Sequence, residues 1–222
     1  MNVAAILESD ILRRVEKPSR YLGNELNVVH KDPAKVEVRM VLAFPDLYDL
    51  GLGNLGIHIL YACVNKLPWA WCERAYAPGL DMETELRSRG LPLFALESKD
   101  GLREMDLLGF TLQSELTYTN ILNIIDLGGI PLRSKDRGDE HPLIFAGGPA
   151  VFNPEPIAPF MDFFVIGDGE SAVVVLAELL LRMRGASRAA KLEEIAKLEG
   201  FYVPELFPMD ILPDGRVLPP VD

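Results

Sequence analysis

The sequence predicts an α/β domain built on a mainly parallel β-sheet. Short apolar runs that read as strands alternate with helical patterns along most of the chain, which is the order expected of βαβ units. Several runs end in glycine-rich loops, as strands of such sheets do where they meet a ligand. We therefore predict that residues 36–200 form the α/β domain.

An N-terminal arm, residues 1–35, is expected to precede this domain. Apolar residues between Ile6 and Val15 recur at roughly helical spacing and predict a short helix. The segment after it, Lys17–Glu25, contains Pro18 and Gly23, which favour extended and turning backbone. We expect the arm to pack over the α/β domain.

The first strand is predicted at Val36–Phe44 and is expected to end at Pro45. A polar, glycine-rich loop follows it, and Asn54 is the predicted N-cap of the next helix. In a later helix, Asp81 is the predicted cap. The other predicted strands are Trp71–Tyr76, Leu91–Leu96, Asp106–Leu112, Leu143–Ala146 and Phe163–Ile166. The predicted helices are Asn54–Lys66, Met82–Arg89, Tyr118–Leu127, Ser171–Arg184 and Ala189–Leu198, with a charged surface loop at Arg133–His141.

The last segment, residues 201–222, has a different pattern. Phe201–Phe207 and Val217-Leu218 flank a turn at Pro213-Asp214-Gly215, which predicts a β-hairpin or a linker. The final residues, Pro219-Pro220-Val221-Asp222, are an unusual end for a domain. We expect the chain to be a fragment of a longer protein.

Composition excludes several classes of function. The 222 residues are 49% apolar and 25% charged, as in ordinary globular proteins. The net charge of −11 argues against nucleic-acid binding by this chain, because attraction to phosphates needs a basic face. No apolar run is long enough to cross a bilayer and the N-terminus lacks a signal-peptide core, so a cytoplasmic location is expected. Cys63 and Cys72 are too far apart for a metal knuckle and are expected to be reduced core residues.

Four loops are expected to meet at one edge of the sheet, because each follows a predicted strand. Any one of these loops could be only a tight βα turn, but four together predict a ligand-binding edge. The loops are Pro45–Asn54, Gln113-Ser114-Glu115, Gly147-Gly148-Pro149 and Gly167-Asp168-Gly169-Glu170. Asp168 alone would also suit a plain helix N-cap, and no catalytic residue is predicted among the acids of this edge.

Gly51, Gly53 and Gly56 spell G-x-G-x-x-G, the pattern of a dinucleotide-binding loop. Six residues separate the predicted strand from Gly51, however, and the second strand ends in Tyr76-Ala77-Pro78 without the acid that binds ribose. No Gly-Lys-Ser/Thr follows, and no aspartate closes the third long strand, which excludes a P-loop and a receiver domain. A nucleotide-binding oxidoreductase is therefore the weakest alternative.

None of the three histidines, His30, His58 and His141, is predicted to be a metal ligand or a general base. A histidine-ligated cobalamin domain presents D-x-H-x-x-G after its first strand, and neither His58 nor His141 fits that pattern. We expect His58 to pack on its helix and His141 to be solvated.

The loops taken together resemble the N-terminal domain of a family of cobalamin-binding-type radical S-adenosylmethionine (SAM) proteins. The likeness extends over essentially the whole chain. It is carried by Lys17–Glu25, Phe44–Tyr48, Gly53–Gly56 with Ile59–Tyr61, Gly109–Gln113, Gly147–Pro149, Asn153–Pro156 and Gly167–Glu170.

The resemblance implies a flavodoxin-like (Rossmann-like) sheet of five parallel strands, with helices on both faces, stacked on a radical SAM barrel of the same polypeptide. It implies a corrinoid across the carboxyl edge of the sheet, bound without a protein histidine. The residues implied to contact it are Tyr48, Gly51, Gly53, Asn54, Gln113, Gly147, Gly148, Pro149, Gly167, Asp168, Gly169 and Glu170. The [4Fe–4S] cluster and SAM are expected only beyond Asp222, because Cys63 and Cys72 cannot supply C-x3-C-x2-C.

Two readings of the function follow from the resemblance. The first is an accessory cofactor-binding domain of a radical SAM enzyme with an unknown substrate. The second is a non-catalytic interaction domain that has kept the fold and lost the cofactor. The second reading predicts exposed apolar surface on Ser171–Arg184 or on residues 201–218.

Overall fold

The structure is a computed structural model that describes residues 3–207, 210–214 and 216–218. Its main feature is a six-stranded sheet in the order β2-β1-β3-β4-β5-β6. The first five strands are parallel and β6 runs antiparallel to β5, which confirms the predicted α/β class with a mainly parallel sheet. The strands are β1 (Val38–Leu47), β2 (Ala70–Ala77), β3 (Leu107–Thr111), β4 (Leu143–Gly147), β5 (Phe163–Val165) and β6 (Phe201–Tyr202).

Helices cover both faces of the sheet and divide the core into two apolar clusters. Helices α1, α4 and α5 pack on one face, and α3, α6 and α7 pack on the other. The helices are α1 (Val3–Ser9), α2 (Tyr48–Gly51), α3 (Leu55–Asn65), α4 (Leu80–Arg89), α5 (Tyr118–Leu127), α6 (Gly169–Arg182) and α7 (Arg188–Ile195). Within the described residues, no helix is both long enough and apolar enough to cross a membrane.

The predicted end of the first strand at Phe44 is wrong, because β1 continues through Pro45 to Leu47. The pairing of β1 with β2 shifts register between Phe44 and Leu47, and this irregularity accommodates a residue that cannot donate to the ladder. Strand β1 therefore ends at Leu47, three residues beyond the predicted end.

The predicted strand Leu91–Leu96 is also wrong. These residues are buried, apart from Pro92, but their backbone bonds go singly to different elements and form no ladder. Leu93 N–H donates to the carbonyl of Leu127, and Leu96 N–H donates to that of Arg74. Burial without a partner strand explains why an apolar run alone was misleading.

The predicted caps have three different outcomes. Asn54 caps α3 as predicted, since its Oδ1 accepts from Ile57 N–H at 3.0 Å. Helix α4 begins at Leu80 with Gly79 as its N-cap, so Asp81 is not the cap and instead accepts from Glu16 N–H of the arm. Asp168 occupies the N-cap position of α6, but its side chain makes no capping hydrogen bond.

The segment Arg133–His141 is predicted to be a charged surface loop, but part of it is buried. Arg137 is buried and pairs with Asp162, also buried, at 3.1 Å. Its guanidinium also donates to the carbonyls of Pro131, Leu132 and Phe160. Burying a charge requires such partners, and those at Phe160 and Asp162 fix this loop to the segment just before β5.

Strand β2 lies at one edge of the sheet, and side chains bond to backbone groups on its outer edge. Asn65 of α3 donates to the carbonyl of Cys72 at 2.9 Å and accepts from its N–H at 3.1 Å, as a neighbouring strand would. Lys31 donates to the carbonyls of Leu67 and Ala70. Covering backbone groups in this way leaves fewer of them free to pair with another chain.

Beyond β6 the chain forms a small hairpin, β7 (Asp210–Ile211) with β8 (Val217–Leu218), as the turn signal predicted. Phe201 and Tyr202 do not belong to that hairpin, because they extend the main sheet. Gly215 of the predicted turn and the final residues 219–222 lie outside the described residues.

Candidate ligand-binding cleft

A cleft of about 190 Å³ opens at the carboxyl edge of the sheet. The helix after β1 lies on one face of the sheet and the helix after β3 lies on the other, so the cleft is at the topological switch point of a flavodoxin-like strand order. Its lining residues are Leu42, Asn54, Gly56, Ile57, Leu60, Phe110, Thr111, Gln113, Phe145, Gly147, Gly148, Val165, Gly167, Gly169, Glu170 and Val173.

The floor of the cleft depends on a glycine beneath an aromatic ring. A Cβ at Gly109 would lie 2.3 Å from Cζ of Phe145, so the ring can lie across β3 only because Gly109 has no side chain. The same ring stacks on Phe163 with centroids 5.2 Å apart and planes 4° apart. One row nearer the edge, Thr111 pairs with Gly147, and these two small residues leave the cleft open.

The polar groups of the cleft are amides, a hydroxyl and one carboxylate. Nε2 of Gln113 donates to Oγ1 of Thr111 at 2.6 Å, which leaves the Thr111 hydroxyl proton and the Gln113 carbonyl for a ligand. Asn54 and Glu170 stand on the α3 and α6 sides. The cleft residues named above contain no lysine, arginine or histidine, so they offer no side-chain cation to a phosphate.

Two glycines of the edge have backbone that other residues rarely adopt. Gly148 has φ of 109°, and a Cβ there would lie 2.9 Å from the carbonyl oxygen of Leu112. Gly167 has φ of 113° with no atom within 4 Å of its Cβ position, so its backbone is open to an approaching group. A third, Gly169, lets α6 approach Leu60 of α3 at the back of the cleft.

The sequence-predicted site residues divide into two groups. Seven line the cleft, namely Asn54, Gln113, Gly147, Gly148, Gly167, Gly169 and Glu170. The other five, Tyr48, Gly51, Gly53, Pro149 and Asp168, are not part of its lining.

Tyr48 and Gly51 have structural partners instead. Tyr48 Oη donates to Oε1 of Glu25 at 2.5 Å, and its ring packs edge-on against Tyr76. A Cβ at Gly51 would lie 2.7 Å from the rings of Phe44 and Tyr76, so this glycine allows close packing of α2 on the sheet.

Thr111 is a cleft residue that the sequence reasoning missed. It is the last residue of β3 and precedes the predicted loop by two positions. Alternation along β3 places it on the same face as Leu107, which packs with α3 and α6. That period-two signal could have identified it.

None of the three histidines lines the cleft. Nε2 of His58 lies 2.5 Å from the carbonyl oxygen of Leu52, so this ring packs at the start of its own helix, as predicted. His141 is not solvated, since its side chain is 7% exposed and its Nδ1 accepts from Gly138 N–H. The described residues contain no cluster of three or more His, Cys, Asp or Glu that could hold a metal ion.

A rim of exposed apolar side chains surrounds the carboxyl edge. The loops and helix starts that follow β1, β2, β3 and β4 each present at least one such side chain, between 64% and 89% exposed. The rim consists of Leu50, Leu55, Leu80, Leu116 and Phe152. Exposed apolar groups gathered at one place commonly mark a binding surface.

The family described as radical SAM proteins, N-terminal, matches residues 56–204, well over half of the chain. The chain belongs to this family. An uncharacterized protein of Methanocaldococcus jannaschii is 25% identical to it over 143 residues, which are 64% of this chain and 26% of that protein. This radical SAM N-terminal chain thus spans about a quarter of the length of that curated relative.

A solved structure also aligns with this radical SAM N-terminal chain. It is the radical S-adenosylmethionine methyltransferase TsrM from Kitasatospora setae, with tryptophan substrate and a SAM analogue bound. The alignment has a TM-score of 0.46 and 15% sequence identity, and it covers 81% of this chain and 29% of TsrM.

Proposed function

We propose that this chain is an accessory domain of a radical SAM enzyme and that its carboxyl edge binds cobalamin. The observation that carries the proposal is the switch-point cleft, which combines an apolar floor, uncharged polar groups and open glycine backbone. Family membership supports the radical SAM context. The ligand is inferred from the chemistry of the cleft together with the resemblance of its loops.

The residues present fit a corrinoid, which is a broad ring bearing uncharged amide groups. Gly147, Gly148 and Gly167 would let the ring approach the backbone, while Thr111 and Gln113 would bond its amides. The cleft holds about 190 Å³, less than the roughly 300 Å³ at which drug-sized ligand pockets begin. Only part of the cofactor would enter the cleft, and the remainder would lie over the edge.

The chain's own residues would bind and orient the cofactor without ligating cobalt through an imidazole, since no histidine lines the cleft. When bound, cobalamin supplies a cobalt centre that can carry a methyl group. We assign the [4Fe–4S] cluster and SAM to the remainder of the polypeptide. Cys63 and Cys72 are both free, and burial raises the pKa of the Cys72 thiol, which disfavours the thiolate that a cluster needs.

The test adds hydroxocobalamin anaerobically to the purified chain and follows the visible spectrum and co-elution on gel filtration. Gly147→Val should fill part of the cleft. Its Cβ position is 3.7 Å from the carbonyl oxygen and 3.9 Å from the Cβ of Val165, so the backbone tolerates a side chain, which would then extend into the cleft. Ala189→Val, on the exposed side of α7, is the matched control. We expect co-elution with the wild type and the control, and loss with Gly147→Val. Complete separation of vitamin from the wild-type chain would refute the corrinoid assignment.

A second candidate function is docking to the catalytic part of the same polypeptide, and the apolar rim favours it. The rim is more exposed than the surfaces predicted for an interaction domain, where Val175 of α6 is 37% exposed and Phe207 is 41% exposed. The relative extends about four times the length of the matched part, so a further domain is a reasonable occupant.

Hydrogen exchange would test the docking surface on the full-length protein and on this chain alone. We expect protection of the segments around Leu116 and Phe152 only when the rest of the polypeptide is present. Exchange that is equal in both proteins would exclude docking at the rim. Protection that needs added cobalamin would assign the edge to the cofactor instead.

A further inference from the structure

We infer that the arm segment Lys17–Glu25 is a clamp that positions the first wall of the cleft. The inference rests on the proposed function only in taking the cleft as the ligand site. The contacts that carry it run from the arm to α2, and from α2 to Asn54.

The first contact of the clamp is a pair of ion pairs to one carboxylate. Lys17 Nζ and Arg20 Nε lie 2.6 and 2.5 Å from the two oxygens of Asp49, which belongs to α2 directly after β1. The hydrogen bonds from both bases hold the pKa of the Asp49 carboxyl below its usual value. Next in the arm, Tyr21 Oη accepts from Gly79 N–H at 3.0 Å and anchors the arm to the end of β2.

The second contact uses both oxygens of Glu25. Oε1 accepts from Tyr48 Oη of α2 at 2.5 Å, and Oε2 accepts from Nη2 of Arg74 at 2.7 Å. The Arg74 side chain is only 4% exposed, so this pair is shielded from solvent far more than the Asp49 pairs. Burial opposes ionisation of Glu25, but the bonds from Tyr48 and Arg74 outweigh it and lower the pKa of its carboxyl.

Helix α2 is held on its other side by the sheet. Gly51 packs against the rings of Phe44 and Tyr76 with no room for a Cβ. Clamped from the arm and seated on the sheet, α2 has a defined position at the end of β1.

Asn54 connects α2 to the cleft. Its N–H donates to the carbonyl of Gly51 at 3.0 Å, and its side chain caps α3 and lines the cleft. A shift of α2 therefore moves Asn54 and the start of α3. Glu25 and Asp49 are positioning residues, because they act on the ligand through Asn54 and do not line the cleft.

The clamp explains why the arm motif and the Phe44–Tyr48 motif occur in the same chain. Lys17 and Arg20 supply charged partners to Asp49 of α2, and Glu25 supplies one to Arg74, which also pairs with Glu97. Gly23 is needed because a Cβ there would lie 2.0 Å from the carbonyl oxygen of Leu96, which faces the arm. The arm motif is thus read as a positioning device for the first ligand loop.

The test compares Glu25→Ala with Glu8→Ala, an exposed glutamate of α1, as the matched control. The first measurement needs no ligand: amide exchange of residues 48–57 should rise about tenfold in Glu25→Ala and stay unchanged in the control. The second is hydroxocobalamin affinity, which should weaken by about tenfold in Glu25→Ala alone. Tyr48→Phe, which removes only the phenolic hydrogen bond, replaces Glu25→Ala if that variant does not fold.

A charge exchange separates positioning from general stability. Asp49→Arg should raise exchange in 48–57, and adding Arg20→Asp should restore it. Unchanged amide exchange of residues 48–57 in folded Glu25→Ala or Tyr48→Phe would overturn the clamp. So would a double variant, Asp49→Arg with Arg20→Asp, whose amide exchange stays as fast as that of Asp49→Arg alone. A wild-type chain that binds no cobalamin would refute the proposed function while the exchange measurements still decide on the clamp.

Discussion

Replacing Gly109 by alanine tests how the floor of the cleft is built. The added Cβ would lie 2.3 Å from Cζ and 2.6 Å from Cε1 of Phe145. Carbon atoms at rest are about 3.5–4.0 Å apart, so either the ring or β3 must move by more than an ångström. The ring is 3% exposed, and any turn would break its stacking on Phe163 or bring it into the cleft whose floor it forms.

The expected cost follows from these two opposing effects. Overpacking a dense core costs about 1–3 kcal/mol, and the confined ring places Gly109→Ala at about 3 kcal/mol. Alanine also restricts the unfolded chain, which returns at most about 1 kcal/mol. We therefore expect the free energy of unfolding to fall by about 2 kcal/mol.

Urea unfolding of four proteins would measure this effect: the wild type, Gly109→Ala, Phe145→Leu and the double variant. A leucine at 145 leaves space for the new Cβ, so the double variant should be more stable than the sum of the single losses by at least about 1 kcal/mol. Gly147→Ala is the control, since its Cβ would have no neighbour closer than 3.7 Å. Additive losses, or a Gly109→Ala variant as stable as the control, would refute the account of the floor.

Three further substitutions test the arm, a buried carboxyl and the sheet edge. Gly23→Ala should lower the free energy of unfolding by at least about 2 kcal/mol, because Gly23 has φ of 66° and faces the carbonyl of Leu96; an unchanged urea midpoint would contradict this. Burial raises the pKa of Glu97 to about 7 from 4.5, so the folded chain holds this proton more tightly than the unfolded chain. Stability should thus decline between pH 4.5 and pH 7, and Glu97→Gln should flatten that decline in urea titrations; equal slopes would argue against it. Asn65→Ala should leave the N–H and carbonyl of Cys72 unpaired, with a loss of about 2 kcal/mol and faster exchange of the Cys72 amide, and slow exchange there would show that another group covers the edge.

The regular elements were predictable where local signals and tertiary packing agree. Helix α5 has the predicted bounds because its apolar period is strong and glycines follow it. The strand predicted at Leu91–Leu96 was wrong because a short run of mostly buried apolar residues has the same pattern whether or not a partner strand lies beside it. The end of the first strand was placed too early because Pro45 is a local signal for a strand end. A register shift in the pairing with β2 lets β1 continue past this proline.

The site was predictable to the extent that topology places it. Gly147 ends β4, Gly148 follows it and Gly167 lies just after β5, and the carboxyl ends of such parallel strands must share an edge. Tyr48 could not be assigned in this way, because its partner Glu25 is 23 residues earlier in the arm and no local pattern links the two. Contacts of this kind depend on how a separate segment packs, which spacing in the sequence does not encode.

The G-x-G-x-x-G pattern shows how a motif can match while its physical basis is absent. In a dinucleotide fold the three glycines serve one pyrophosphate at one helix start. Here Gly51 is closed off by Phe44 and Tyr76, and Gly53 faces open space outside the cleft. Gly56 alone lines the cleft.

A phosphate at this cleft would also lack a countercharge. None of its lining residues is cationic, and one of them, Glu170, is an acid. The side-chain amide of Asn54 already caps α3, so it competes with an anion for the first free amides of that helix. A dinucleotide would have no side-chain cation here and would compete with Asn54 for the amides of α3, whereas an uncharged ligand meets neither obstacle. The spacing of the glycines, their separate environments and the charge of the cleft therefore all argue against the oxidoreductase reading, and they favour a broad, uncharged ligand at the same edge.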